Sequence, residues 1–189
     1  QWAVQLQTIQ DGQFWDAEHG GYYATKEQSS DILIRMKDDY DGAEPSANSV
    51  ALMNLIRLHQ MLGAEDLSGK IKLSFQVFAE KMIQQPSAMP QMMVALDAHL
   101  NPFKQIVFAS GAEDAGLMKM RQILYQHFIP GKIVLLADGG KGQEFLGQHQ
   151  VFIRSVAPIE NKTTAYVCEH YVCQQPTHDP DLFATLLKK

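Results

Sequence analysis

Two cysteines are all that this 189-residue chain holds, too few for the disulfide framework that staples small secreted domains. An intracellular, reducing, cytoplasmic setting is therefore the expectation. Basic charge is also scarce: 16 Lys and Arg stand against 21 Asp and Glu, a formal charge of -5. Nucleic acid and anionic membranes both need a basic face, so neither is an expected partner. No apolar run approaches the roughly 20 residues that a spanning helix requires. Residues 1–15 lack the basic start and apolar centre of a secretory signal. Internal repeats and low-complexity tracts are lacking too.

Other deficits bear on chemistry. Seven His are scattered along the chain, among them His59, His99, His127, His149, His170 and His178, with no His-x-x-x-His pair. Neither a metal nor a cofactor is expected. Gly139-Gly140-Lys141-Gly142 fails as a phosphate loop, because the spacing is wrong and no Ser or Thr follows Lys141. Cys168 and Cys173 are five apart, not the Cys-x-x-Cys of a redox pair or zinc half-site. On one continuous strand that separation sends them to opposite faces, so they read as structural thiols.

What is present is ordinary globular material. Hydrophobic residues make up 46% and charged residues 20%, enough to bury a core in one generous domain or in a domain plus an appendage. The nine Met read as core filler. Gln1 stands where an initiator Met would, and the chain opens inside a helical pattern with no cap residue ahead of it. That predicts a piece of a longer protein.

Residues 1–14 read as a helix end with Trp2, Leu6 and Ile9 on one side. From Phe14 to Asp41 the helical period is gone. Gly20-Gly21 predicts a turn, with short strands at Tyr22-Tyr23-Ala24-Thr25 and Ile32-Leu33-Ile34-Arg35-Met36. Ser46 or Asn48 can cap a helix through Ala51, Leu52, Leu55, Ile56, Leu58 and Leu62, which Gly63 stops. A second helix opens at Asp66 or Ser68 and runs through Leu67, Ile71, Phe75, Phe78 and Met82 to Pro86, making an αα-hairpin. A third covers about Met89 to Leu100. After Pro102 the pattern becomes strand Gln105–Ala109, helix Ala112–Phe128 and strand Ile133–Ala137, one βαβ unit hinged at Pro130-Gly131. Asp138–Gly142 reads as a flexible loop. Val151–Ser155 and Thr164–Cys173 are candidate strands, and Asp179 caps a last helix through Leu187.

Two polar stretches could carry chemistry. Arg35–Asn48 packs Arg35, Lys37, Asp38, Asp39, Tyr40, Asp41 and Glu44 between a strand and a helix start, where binding groups concentrate. Its plainer reading is a solvated acidic turn with an N-cap. Phe14-Trp15-Asp16-Ala17-Glu18-His19-Gly20-Gly21-Tyr22-Tyr23 joins aromatic rings to an acid, like a platform for a sugar ring. Gly-Gly-Tyr also makes a common hairpin corner.

Taken in order, Phe14-Trp15-Asp16 with Gly20-Gly21-Tyr22-Tyr23, Arg35-x-Lys37-Asp38-x2-Asp41-Gly42-Ala43-Glu44-Pro45-Ser46-x-Asn48-Ser49, Asn54-Leu55-x2-Leu58 and Tyr166-Val167-Cys168-x4-Cys173-x2-Pro176-x2-Asp179 resemble the thioredoxin-domain-containing family of spermatogenesis-associated proteins. The likeness runs over nearly the whole chain. Ala47 departs from the Gly usual at its position, and His170 from the usual Asn. The resemblance implies an N-terminal thioredoxin-like domain, absent here, ahead of helices similar to six-hairpin (α/α) toroids, the fold of many glycosidases and N-acylglucosamine 2-epimerases. The fold class expected is mainly α: residues 1–100 as a partial (α/α) toroid of helical hairpins, and 101–189 as a small α/β appendage ending in a helix.

In such toroids the loops feeding the inner helices line a central funnel, so the resemblance implies that both polar stretches face one cavity. Paired carboxylates suit glycoside or sugar-isomerisation chemistry, one ionised and one held protonated. Glu44 and Asp41 are then the acid/base candidates. Asp16, Tyr22, Tyr23, Arg35, Lys37, Asp38 and Asn48 are the substrate-binding candidates, for a small saccharide. Against this stands a buried ionic knot of Arg35, Lys37, Asp38 and Asp41 that only fixes the loop. The function expected is a carbohydrate-active hydrolase or epimerase fragment; the alternative is a non-catalytic helical module serving the thiol chemistry of the missing domain. A six-hairpin toroid has twelve helices, and residues 1–100 supply about four at roughly 11–12 residues each. Helices 48–63 and 66–84 are thus expected to expose apolar faces that the missing N-terminal part covers, so the chain alone self-associates.

Overall fold

A computed structural model describes residues 1–27, 31–101, 103–111, 115–169 and 172–188. His170 and the expected helix start at Ala112 lie outside them. The chain divides into two compact units, Gln1–Leu100 and Asn101–Lys189. Among the described residues there are seven α-helices and one four-stranded sheet, and no helix is long and apolar enough to cross a membrane.

The first unit holds α1 (Trp2–Phe14), α2 (Ala47–Leu62), α3 (Glu65–Gln84) and α4 (Pro90–Leu100). Ser46 starts α2 by accepting the Ser49 N–H at its hydroxyl, and Gly63 ends it in the left-handed region at φ 66°. Ala47 is already the first helical residue of α2, so an Ala in place of Gly brings no strain. The apolar spacing of α2 and α3 turns Leu52, Leu55, Ile56, Ile71 and Phe78 inward, and Met89 and Met92 at the start of α4 complete the core.

Two expectations fail in this unit. Ile32–Met36 is not a strand: among the described residues its backbone finds no ladder partner beyond the Ala24 N–H bound to the Met36 carbonyl at 2.8 Å. Tyr22–Thr25 gives only an isolated bridge from Tyr22 to Trp15. Propensity marks residues able to pair, and among the described residues no second strand lies alongside. Val50 on α2 and Val77 and Ile83 on α3 are exposed, but further exposed apolar side chains lie outside these helices. The α2 and α3 stripes are mostly buried, while Trp2, Leu6, Ile9, Leu33, Ile34 and Met36 face outward.

In the second unit β1 (Lys104–Ala109), α5 (Ala115–Tyr125) and β2 (Lys132–Ala137) make the parallel βαβ unit. Next come α6 (Lys141–His149), a 3-10 helix at Val151–Ser155, β3 (Thr164–Glu169), β4 (Val172–Cys173) and α7 (Pro180–Leu187). The sheet order is β2-β1-β3-β4, with β3 antiparallel to β1 and β4 antiparallel to β3. Strand alternation sends Ile106, Phe108, Ala165 and Val167 to one face, where Leu124 of α5 and Phe183 of α7 close the core. Gln105 leaves by the other face, its amide 3.2 Å from Gln150. Asp179 caps α7, one oxygen accepting the Asp181 and Leu182 N–H groups at 2.8 and 3.1 Å.

Three further expectations are corrected here. Val151–Ser155 is a 3-10 helix, not a strand, and Lys141 of the supposed loop begins α6. Cys168 and Cys173 are not separate thiols but a disulfide. The opposite-face argument assumed one strand; β3 and β4 instead pair antiparallel, which sets Cys173 directly across from Cys168.

Candidate functional site

The polar segment between α1 and α2 makes three connected knots. The first surrounds Asp16, which is 7% exposed. One of its oxygens accepts the Glu18 and His19 N–H groups at 2.9 and 3.0 Å; the other accepts the Tyr23 hydroxyl and the Lys37 ammonium, both at 2.8 Å. Burial alone would raise the Asp16 pKa, but Lys37, the backbone donors and Tyr23 together hold it far below the usual carboxylate range. Lys37 also donates to the Gly20 carbonyl at 2.6 Å. Arg35 lies over the Tyr23 ring at 3.9 Å and donates to the Thr25 carbonyl at 3.1 and 2.9 Å. The Asp16 bond, followed by burial, pushes the Tyr23 phenol up.

The second knot joins Tyr22 to Asn48. Gly20 and Gly21 adopt φ of 81° and 76°, and a Cβ on Gly20 would stand 2.7 Å from Cβ of Leu73. That close approach needs glycine. It delivers the Tyr22 backbone to the first turn of α2, where the Asn48 side chain accepts the Tyr22 N–H at 2.7 Å. The same amide donates to the Tyr22 and Asp38 carbonyls at 2.9 and 2.8 Å. The Tyr22 ring is buried against Trp15, with its hydroxyl donating to Asp11 at 2.6 Å. Burial and the Asp11 carboxylate both raise its pKa.

The third knot is Asp41, 8% exposed. One oxygen accepts the Ser46 N–H at 2.7 Å and the other accepts Gln91 and Met92 N–H groups at 2.8 and 3.1 Å. Asp41 therefore caps the start of α4 from outside that helix. Burial opposes its ionisation, yet these donors and Ser49 hold the pKa below the usual carboxylate value. Asp39 nearby pairs with Lys81 of α3.

Glu44 stands exposed at the surface, and so does Asp38. Asp16, Tyr23, Arg35 and Lys37 are brought together; Tyr22 joins Asn48; Asp41 turns toward α4, apart from Glu44's exposed position. A cavity of about 530 Å3 between α1 and α2 is lined by none of these candidates. Phe14, Gln7, Gln10, Asn54 and Arg57 contribute to its wall. The sequence reading missed those side chains, and Asp11 with Lys70 at 2.6 Å. The helical spacing of Gln7, Gln10 and Phe14 on one side and Asn54 and Arg57 on the other could have pointed to a shared polar edge. Nothing local announces a partner of Asp11 so distant in sequence. Among the described residues no group of three or more His, Cys, Asp or Glu is placed to hold a metal ion.

Comparison with known proteins finds long relatives that align along almost all of this chain. The chain resembles spermatogenesis-associated protein 20. It is 39% identical to the proteins of that name from Rattus norvegicus and Homo sapiens over 181 residues, which is 95% of this chain and 23% of theirs. An uncharacterized protein of Caenorhabditis elegans is 30% identical over 175 residues, 92% of this chain and 23% of its own. The chain thus spans about a quarter of the length of the relatives it matches. No family model matches the chain.

Proposed function

We propose that this chain is a non-catalytic helical module of a longer protein like spermatogenesis-associated protein 20, with residues 14–48 as its structural clasp. One observation carries the reading: both Asp41 oxygens accept backbone N–H groups, from Ser46 and from the first turn of α4. A general acid must carry a proton and a general base must reach its substrate. A carboxylate kept ionised by three backbone donors does the first badly, and its burial hinders the second. Asp16 is committed in the same way.

The proposal includes a finer arrangement. The helices α1 to α4 are hairpins of a six-hairpin (α/α) toroid, and the longer protein carries a thioredoxin-like domain whose thiol chemistry this module supports. The short α2–α3 link and the greater length of the relatives favour it. The test compares thiol reduction by the longer protein with and without the region equivalent to residues 1–189. A fall in rate on removal is expected; equal rates would defeat the supporting role.

A second reading keeps the carbohydrate expectation as saccharide binding alone, since neither Glu44 nor Asp41 lines the hollow that favours it. It rests on the hollow between α1 and α2, where Phe14 stands with Gln7, Gln10, Asn54 and Arg57. Flat apolar surface beside amides and a guanidinium suits a sugar ring. Nuclear magnetic resonance titration with a broad saccharide panel separates the two readings. Shifts at Phe14 and Arg57 that Arg57→Ala abolishes would favour the second. No binding by the longer protein across the panel would end it.

A further inference from the structure

We propose that the Cys168–Cys173 disulfide is a thiol-exchange site, opened and closed by a dithiol reductant while the second unit stays folded. The inference is independent of the reading above. Cys173 is exposed in β4, a strand of two residues at the edge of the sheet, whereas Cys168 is 1% exposed in β3. The two half-cystines face each other across the antiparallel pair, one residue exposed and the other buried.

The bond contributes little to holding the unit together. It joins residues only five apart, and the chain entropy a cross-link removes is smaller for a shorter loop. The main hydrophobic cluster of the unit is built from Ile106, Phe108, Leu124, Val167, Phe183 and their neighbours; Cys168 is buried, but Cys173 is outside the core. Two further attachments keep the returning chain in register without the disulfide. Gln174 donates its N–H to the Val167 carbonyl at 2.9 Å, and Ala165 and Thr177 exchange both backbone hydrogen bonds at 2.8 and 3.1 Å. Beyond them Asp179 fixes the start of α7. Breaking the bond frees the β4 edge and leaves β3 and the segment from Gln174 to Asp179 anchored. An exposed disulfide that stabilises the fold little is of the exchangeable kind.

The chemistry closes without further reagents. A thiolate of the reductant attacks Sγ of Cys173, the S–S bond breaks, and its electron pair leaves on Sγ of Cys168, which takes a proton. The second thiol of the reductant then attacks the mixed disulfide and releases the Cys173 thiolate. Two electrons have passed to the chain, and the reductant has become a disulfide.

The full chain is tested under native conditions. Oxidised protein is equilibrated in glutathione buffers of graded poise, alkylated, and weighed intact. Hydrogen exchange is followed over Thr164–Thr177 and over β1 and α5. Both thiols are expected to appear together, with faster exchange confined to the β4 edge. Thiols that appear only once β1 and α5 also lose protection would overturn the proposal, as would a reduced chain that never closes the bond in oxidised glutathione. Single variants supply a second readout. Cys168→Ser, which leaves Cys173, should react with oxidised glutathione roughly tenfold faster than Cys173→Ser, which leaves the buried thiol. Equal rates would overturn the assignment of Cys173 as the attacked sulfur.

Discussion

Asn48 pairs with the backbone of Tyr22 as a neighbouring strand would, accepting its N–H at 2.7 Å and donating to its carbonyl at 2.9 Å. One side chain thereby ties the turn after α1 to the start of α2. Asn48→Ala should destabilise the first unit by about 2–4 kcal/mol, because it strands buried backbone groups. Asn48→Asp keeps the acceptor but aims a carboxylate oxygen at two carbonyls, and should cost at least as much. Urea unfolding followed by Trp15 fluorescence measures both, and unchanged midpoints would refute the clasp.

Acid should loosen the same unit. Asp16 and Asp41 both have folded pKa values below the ordinary 3.8. A carboxyl with a depressed folded pKa binds its proton more readily in the unfolded chain. Its contribution is therefore complete above the ordinary value and is lost as pH falls below it toward the folded value. Stability measured from pH 6 down to about 2 should drop in wild type and drop less steeply in Asp41→Asn. Parallel curves would show that Asp41 ionisation is not coupled to folding.

Glycine substitutions should split by position. Gly20→Ala combines a left-handed φ of 81° with a contact of 2.7 Å to Cβ of Leu73, and should cost about 1–3 kcal/mol. Gly69→Ala sits in α3 with nothing within 4 Å of the added Cβ, and should stabilise by roughly 0.5–1 kcal/mol. Thermal melts of the two variants test the contrast, and shifts of the same sign would contradict it.

Trp2 is 75% exposed and Ile9 54% exposed along α1. Apolar side chains grouped this way favour association. The chain by itself is expected to self-associate in sedimentation experiments, and Leu6→Glu to shift it toward monomer. A wild-type monomer at high concentration would count against a covering partner on this face.

Much of the fold was legible because its signals are local. Ser46, Gly63 and Asp179 mark helix ends through their own side chains or backbone freedom, and the stripes of α2 and α3 follow the helical period. The βαβ unit could be read because two short apolar runs flank an amphipathic segment. The site was legible only as a composition. Asp41 looked like half of a carboxylate pair, yet its partners Gln91 and Met92 lie 50 and 51 residues away. Tyr22 looked like a stacking platform, but its ring is taken by Trp15 and its hydroxyl by Asp11. The cysteine pairing was hidden by a reversal that strand periodicity does not record. The misses at Asp41 and Tyr22 concern what a side chain meets elsewhere in the fold, whereas those at Val151–Ser155 and Lys141 are local conformations that composition left open.

Because Asp41 holds the first amides of α4 while sitting in the connection before α2, that connection and the helix start share one fate. Prising the segment away from the surface would leave Gln91 and Met92 without their acceptor at the same moment. Brief partial openings are thus suppressed, and the segment should exchange its amide hydrogens in step with the distant helix. Such a segment is a fixed floor on which other parts can rest.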